Sequence, residues 1–196
     1  MTAEHTLSFD EDKHAYRLDG RPIPSVTTIL QSAGIVDYRF VKKEDREFYL
    51  TRGSYIHTAT QYLDEGDLNL EDLDPEIRGY VEGYVKFKHD TGFTPTMIEF
   101  RSFNASLWYA GTLDRVGMLN GNRVIVDFKS GTVAKWVELQ TLGGYAQMTG
   151  VGPVTAGYGL ELKADGTYNL SEPFTHFTEA ARVFSAAVII ERWKNG

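Results

Sequence analysis

The chain has 196 residues, 42% of them hydrophobic and 13% aromatic, which suffices to bury one sizeable core and is too rich in aromatics for a disordered segment. A net charge of −7 excludes nucleic-acid binding by bulk charge alone but leaves room for a local basic groove. The absence of cysteine removes disulfides, iron–sulfur clusters, thiolate zinc sites and cysteine nucleophiles together, and fits a reducing compartment.

Met1 to Asp12 carries acidic residues and no apolar run, so no signal peptide is expected. No apolar segment approaches the length of a membrane span, so the expectation is a cytoplasmic protein with no membrane partner. Leu7 to Leu18 reads as a hairpin with Asp10 to Lys13 as its loop, and Asp19-Gly20 as a turn. Pro22 and Pro24 hold the chain extended, and Ser25 caps a short helix, Val26 to Ser32, which Gly34 ends. Residues 1–34 are thus an N-terminal hairpin and short helix packed on the core of a single domain, 1–196.

Tyr38 to Leu63 reads as a helix, in two pieces broken near Gly53. It interleaves Lys42, Lys43, Arg46 and Arg52 with Phe40, Phe48, Tyr49 and Tyr55, a mixture suited to a single nucleic-acid strand because rings stack on bases and cations meet phosphates. Glu44, Asp45 and Glu47 favour the alternative, an amphipathic helix with a solvated charged face. Asp64 to Asp74 is an acidic surface loop, and Pro75 starts a helix to His89 with an apolar stripe from Ile77 to Phe87. Thr94 to Ser102 and Ala105 to Tyr109 are strands. They lead into a hairpin of Val116 to Leu119 and Val124 to Phe128 around Asn120-Gly121, the strongest short-range hairpin signal in the chain. A helix from Val133 to Met148 follows. Then come a strand from Thr155 to Leu162, a turn at Ala164-Asp165-Gly166, a partner strand from Tyr168 to Leu170, and a closing helix from Thr178 to Lys194. That last helix offers Ala181, Phe184, Val188 and Trp193 for burial. This order predicts a mixed α/β (α+β) fold, a central mixed β-sheet flanked by helices.

The hairpin carries the chemistry. A two-residue loop at Asn120-Gly121, or a four-residue loop centred on that dipeptide, sets Asp114 opposite Asp127, and alternation puts Asp114, Asp127 and Lys129 on one face. Facing carboxylates repel across a ladder, and a divalent metal between them relieves the repulsion. Phosphodiester hydrolysis needs an activated water and a stabilised phosphoryl charge. Mg2+ or Mn2+ on carboxylates supplies both, and a neighbouring lysine orients the water. The Phe128 backbone carbonyl, between the two functional residues, offers one more oxygen ligand. The rival reading is a surface hairpin with exposed Asp–Lys ion pairs.

Gly111-Thr112-Leu113-Asp114 followed by Val126-Asp127-Phe128-Lys129 resembles the Gly-x-x-Asp and Asp-x-Lys elements of the PD-(D/E)XK nuclease superfamily. Arg52-Gly53-Ser54-Tyr55-Ile56-His57 resembles the Arg-Gly-x-x-x-His element of its RecB-like branch, and Gln140 to Tyr145 that branch's Gln-x-x-x-Tyr helix. Pro24 to Leu30 is similar to an element of phage-type and mitochondrial genome maintenance exonucleases. The resemblance implies a restriction-endonuclease-like core and a metal-dependent DNA exonuclease for single-stranded ends, cytoplasmic, or in the host cytoplasm if phage-encoded. It implies Mg2+ or Mn2+ held by His57, Asp114, Asp127 and the Phe128 carbonyl, with Glu99 on the preceding strand a further candidate. Catalysis would fall to Asp114, Asp127, Lys129 and Gln140, and Arg52, Tyr55, Arg101, Lys135 and Tyr145 would contact the nucleic acid. Trp136 serves equally as core or as a stacking ring, and Gln61, one turn beyond His57, as polar support or nothing. Arg115 should point away from Asp114 and is set aside. Two departures stand out. Gln140 and Tyr145 are five apart instead of four, about 140° around a regular helix, so that either Gly143-Gly144 distorts the helix or one of the pair is idle. The cluster-binding cysteines of some relatives are missing, so no iron–sulfur cluster is expected. Alternatives are a double-strand recombination exonuclease or structure-specific endonuclease of the same fold, and a non-catalytic nucleic-acid-binding module. Polarity, DNA against RNA, metal number and oligomeric state are not legible.

Overall fold

Three short strands open the chain: β1 (Leu7–Asp10), β2 (Ala15–Leu18) and β3 (Arg21–Ile23) form an antiparallel sheet in that order. The computed structural model describes residues 4–11, 13–37 and 43–195, with side chains of the long second helix described from residue 47 onward. The stretch around Pro22, expected only to run extended, pairs with Arg17 as an edge strand, where the missing proline N–H costs no ladder bond. Ser25 caps α1 (Val26–Ser32), its Oγ accepting from the Thr28 N–H at 3.0 Å. The Ala110 N–H donates to the Pro24 carbonyl, which docks this region on the central sheet.

The central sheet has five strands in the order β4 (Thr94–Asn104), β5 (Tyr109–Leu119), β6 (Asn122–Lys129), β7 (Ala156–Leu162) and β8 (Tyr168–Leu170). Only the β6–β7 pair is parallel, so the sheet is mixed and the fold is α+β. Ala105 to Trp108, expected to begin a strand, forms the turn between β4 and β5. Asn120 and Gly121 both take positive φ, 51° and 76°, as a two-residue turn matched to strand twist demands. Leu119 then pairs with Asn122 and Arg115 with Val126.

Helices cover both faces. One side holds α2 (Lys43–Glu65) and α3 (Pro75–Thr91), packed on Val124, Val126, Phe128 and Leu160. The expected break at Gly53 is absent: α2 runs through it, since an interior glycine costs only about 1 kcal/mol and packing of the helix offsets that. Phe40 and Lys42 lie outside the described residues, as do the side chains of Lys43 and Arg46. Asp64, expected in a surface loop, sits in the last turn of α2 with a fully buried side chain. The other face packs α1, α5 (Phe177–Asn195) and the segment after β6 against Leu113, Val116 and Ile125. That segment starts as α4 (Trp136–Glu138), continues as a π-helix over Leu139–Gly144 and ends in a 3-10 turn, Tyr145–Gln147. Phe184 and Val188 of α5 are buried, but Trp193 is 83% exposed, because it lies on the face turned away from the sheet. Among the described residues no helix is long and apolar enough to cross a membrane.

Candidate metal centre

The alternation that buries Val116 and Ile125 toward α1 and α5 sends Asp114, Asp127 and Lys129 to the same side. Continued one step, the β5–β6 register sets Asp114 against Asp127, but the backbone pairing stops at Arg115 and Val126. In its place the Asp114 side chain closes the gap: Oδ2 accepts from the Phe128 N–H at 2.6 Å. Its other oxygen, Oδ1, lies 3.3 Å from His57 Nδ1. Glu99 arrives from the opposite neighbour of β5. The β4–β5 ladder pairs Ile98 with Arg115 and Phe100 with Leu113, and Glu99 between them takes φ 43°, in the left-handed region that β-sheet residues avoid. This turn of the backbone brings Glu99 Oε1 to 3.4 Å from His57 Nδ1. Three strands therefore present Glu99, Asp114 and Asp127 side by side.

His57, Glu99 and Asp114 each offer a ligand atom within 4.8 Å of the others. One imidazole and two carboxylates make a nitrogen–oxygen set suited to a divalent cation and unsuited to a soft thiophilic one. The electrostatics agree with a site short of positive charge. Burial works against the His57 imidazolium, yet Asp114 and Glu99 overcome it and raise its pKa to about 10. Burial likewise opposes the Asp114 charge, but His57, Lys129 and the Phe128 N–H prevail and hold its carboxyl below the usual range. Asp127, 1% exposed, goes the other way: burial, with Asp114 adding to it against the pull of Lys129, pushes it up to about 6.

Asp127 stands outside the three-residue group because Lys129 claims it. Lys129 Nζ sits 2.5 Å from Asp127 Oδ2, donates to Gln140 Oε1 at 3.4 Å, and lies 5.1 Å from the centre of the Trp136 ring. Gln140 Nε2 in turn donates to the Tyr145 hydroxyl at 2.7 Å. The five-residue spacing of Gln140 and Tyr145, awkward in an α-helix, is one turn of a π-helix, and Leu139–Gly144 is π-helical. Gly143 and Gly144 permit it by close approach: a Cβ would stand 2.6 Å from the Ala180 carbonyl at Gly143 and 2.7 Å from Val26 at Gly144. Both members of the pair are thereby used. Tyr145 itself is 5% exposed, so it buttresses Gln140 and presents no ring face to a nucleic acid.

The expected nucleic-acid contacts divide. Arg52 ties α2 to the end of β6 through its bond to the Ser130 carbonyl at 3.3 Å and packs over Phe48, Tyr49 and Tyr80. Tyr55, 61% exposed, and Lys135 face solvent. Arg101 pairs with Glu11 at 3.0 Å and lies over Phe9, so it serves the N-terminal sheet. Gln61 bonds Glu65 along the surface of α2 and takes no part in the site. Sequence reasoning missed two residues. Arg115, set aside for pointing away from Asp114, is fully buried beneath the site, and it joins Glu99 at 3.0 Å to Asp64 at 2.7 Å. Asp64 follows His57 by seven positions, two turns along one helix face, and that spacing was the available signal.

No protein-family model matches the chain, and no curated protein matches it by sequence.

Proposed function

We propose that this chain is a metal-dependent deoxyribonuclease on the PD-(D/E)XK plan, hydrolysing phosphodiester bonds at single-stranded DNA ends. The observation that carries the reading is the juxtaposition of two different devices. One is a nitrogen–oxygen donor group, His57, Glu99 and Asp114, within 4.8 Å; the other is the neighbouring Asp127–Lys129 pair. A donor group alone fits many roles. A half-buried lysine held by an acid beside it supplies what hydrolysis of a phosphate diester needs next.

His57, Glu99 and Asp114 would hold Mg2+ or Mn2+, with Asp127 and the Phe128 carbonyl completing the set on the β6 side. The ion would supply Lewis-acid activation of a water and charge for the phosphoryl oxygens. Lys129, fixed between Asp127 and Gln140, would direct its ammonium toward the attacking water and the developing negative charge on phosphorus. Gln140 keeps Lys129 in place, and Tyr145 keeps Gln140 in place, so a water would add to phosphorus from one side, giving up its proton to solvent as the ester P–O bond breaks and the leaving oxygen takes up a proton. Tyr55 and Lys135, on the surface flanking the site in sequence, are the candidate contacts to the strand.

A time course on end-labelled single-stranded, duplex and covalently closed circular single-stranded DNA, with Mg2+, Mn2+ or chelator, tests the proposal. It expects metal-dependent shortening of linear single strands and an intact circle. Nicking of the circle indicates an endonuclease of the same chemistry, and preferential digestion of duplex a recombination exonuclease. Binding that persists in chelator with no cleavage in either metal overturns the enzymatic reading in favour of a binding module.

A further inference from the structure

Among the described residues Arg115 is the largest side chain with no exposed surface, in a position where a sheet facing helices normally carries an aliphatic residue. Burying a guanidinium costs several kcal/mol unless its partners are excellent, so the partners say what it is for. Nε donates to Asp64 Oδ2 at 2.7 Å, and Asp64 is itself held by the Tyr84 hydroxyl at 2.7 Å and Lys88 Nζ at 2.6 Å. Nη1 donates to Glu99 Oε1 at 3.0 Å and to the carbonyl of Asp114 at 2.5 Å. The rings of Phe128 and Tyr84 lie 4.9 and 5.7 Å away and clamp the guanidinium. One buried donor therefore touches two of the three residues of the donor group, one through its carboxylate and one through its backbone.

We infer that Arg115, locked by Asp64, is a positioning residue of the metal centre: it holds the Glu99 carboxylate against His57 and Asp114. Three observations separate this from a merely structural ion pair. Glu99 adopts φ 43°, a backbone cost a plain strand residue has no reason to bear, and the turn delivers its carboxylate to Arg115 and His57. Glu99 and Asp114 are like charges that both lie within 3.4 Å of His57, and Arg115, with no exposed surface and 3.0 Å from Glu99, is a second cation that offsets them from the opposite side. Arg115 Nη2 is buried with no hydrogen-bond partner among the described residues, a sacrifice that a pair kept for stability alone would avoid.

The inference rests on the metal reading of the site and not on the identity of the nucleic acid. The test is Mn2+ binding to the 196-residue chain by calorimetry, with thermal melts in chelator, for wild type, Glu99→Gln, Arg115→Lys, the combination Glu99→Gln/Arg115→Lys, and the double variant Asp64→Asn/Arg115→Met. The double variant removes both buried charges, retains an acceptor for the Tyr84 hydroxyl, and should keep a cooperative melt, since apolar replacement of a buried pair is often tolerated. Arg115→Lys keeps the charge, but a single ammonium cannot serve Asp64 and Glu99 as a fork does, so it should not rescue the affinity. Each folded variant should bind Mn2+ roughly 10- to 100-fold more weakly than wild type. Adding Glu99→Gln to Arg115→Lys should cost no more than Glu99→Gln alone, because Arg115 acts through Glu99. Affinity within twofold of wild type in a folded variant that lacks Arg115, or additive losses in the Glu99→Gln/Arg115→Lys combination, overturns the inference. Wild type that binds no Mn2+ overturns it together with the metal reading. Weakened Mn2+ binding in a chain that cleaves no DNA upholds it and removes the nuclease proposal alone.

Discussion

At the scale of single residues, the site is a contest between buried acids and the few cations that reach them. Asp127 is the clearest case. Its pKa rises from 3.8 to about 6, so between those values the fold keeps a proton that the unfolded chain has released, and the charged carboxylate costs stability at neutral pH. Asp127→Asn, which keeps the shape and an acceptor for Lys129, should raise the melting temperature of the metal-free protein at pH 7 and abolish cleavage; a lower melting temperature would contradict the strain. Lys129→Ala should lose at least about a hundredfold in cleavage rate, within the usual range for a group that stabilises transition-state charge, with secondary structure by circular dichroism unchanged. Asp114, Asp127 and Lys129 were legible because strand alternation around an Asn-Gly turn is local physics. Arg115 was not, since only the full packing reveals what waits on the far face of a strand.

At the scale of elements, the π-helix is the device that matters. It converts a five-residue spacing into a contact, and it rests on glycines pressed against α1 and α5. Gly143→Ala would drive a methyl group to 2.6 Å from the Ala180 carbonyl and 2.8 Å from Phe184 Cβ, so either α5 moves or the π-turn unwinds. The expected cost is about 1–3 kcal/mol in chemical unfolding, with a fall in cleavage rate because Gln140 leaves Lys129. A neutral effect on both would show that the glycines are incidental. The sequence flagged a distortion at Gly143-Gly144 but left open whether one of the pair is idle, because the answer depends on α1 and α5, which come from opposite ends of the chain.

At the scale of the whole molecule, the centre joins the two helical layers across the sheet: His57 comes from α2 on one side, and Gln140 from the π-helix on the other. Occupancy by a metal should therefore stabilise the entire fold. Mn2+ at 100 times its dissociation constant should add about 2.7 kcal/mol, read as a higher melting temperature that chelator reverses; no shift would argue against a site between the layers. In chelator the sign of the pH dependence also follows. His57 is raised to about 10 from 6.5, so its contribution is fully present below pH 6.5 and is lost as pH climbs toward 10. The metal-free protein should accordingly lose stability over that window, and His57→Gln should flatten the decline.

The sequence by itself determined the mixed sheet, the hairpin register and the trio of Asp114, Asp127 and Lys129, because period-two alternation and turn chemistry act over a few residues. It also indicated His57, Glu99 and Gln140 as neighbours, but through resemblance and not through geometry. Tertiary structure alone decided that Glu99 turns into the site from a left-handed position, that Asp127 is held by Lys129 beside the donor group, and that Tyr145 supports Gln140 from within the core. It alone brought Asp64 and Arg115 together beneath Glu99, 51 positions apart in the chain. The physical reason is common to all of these. A buried charge takes its meaning from whichever partners the fold carries to it, and those partners come from elements that no local pattern connects.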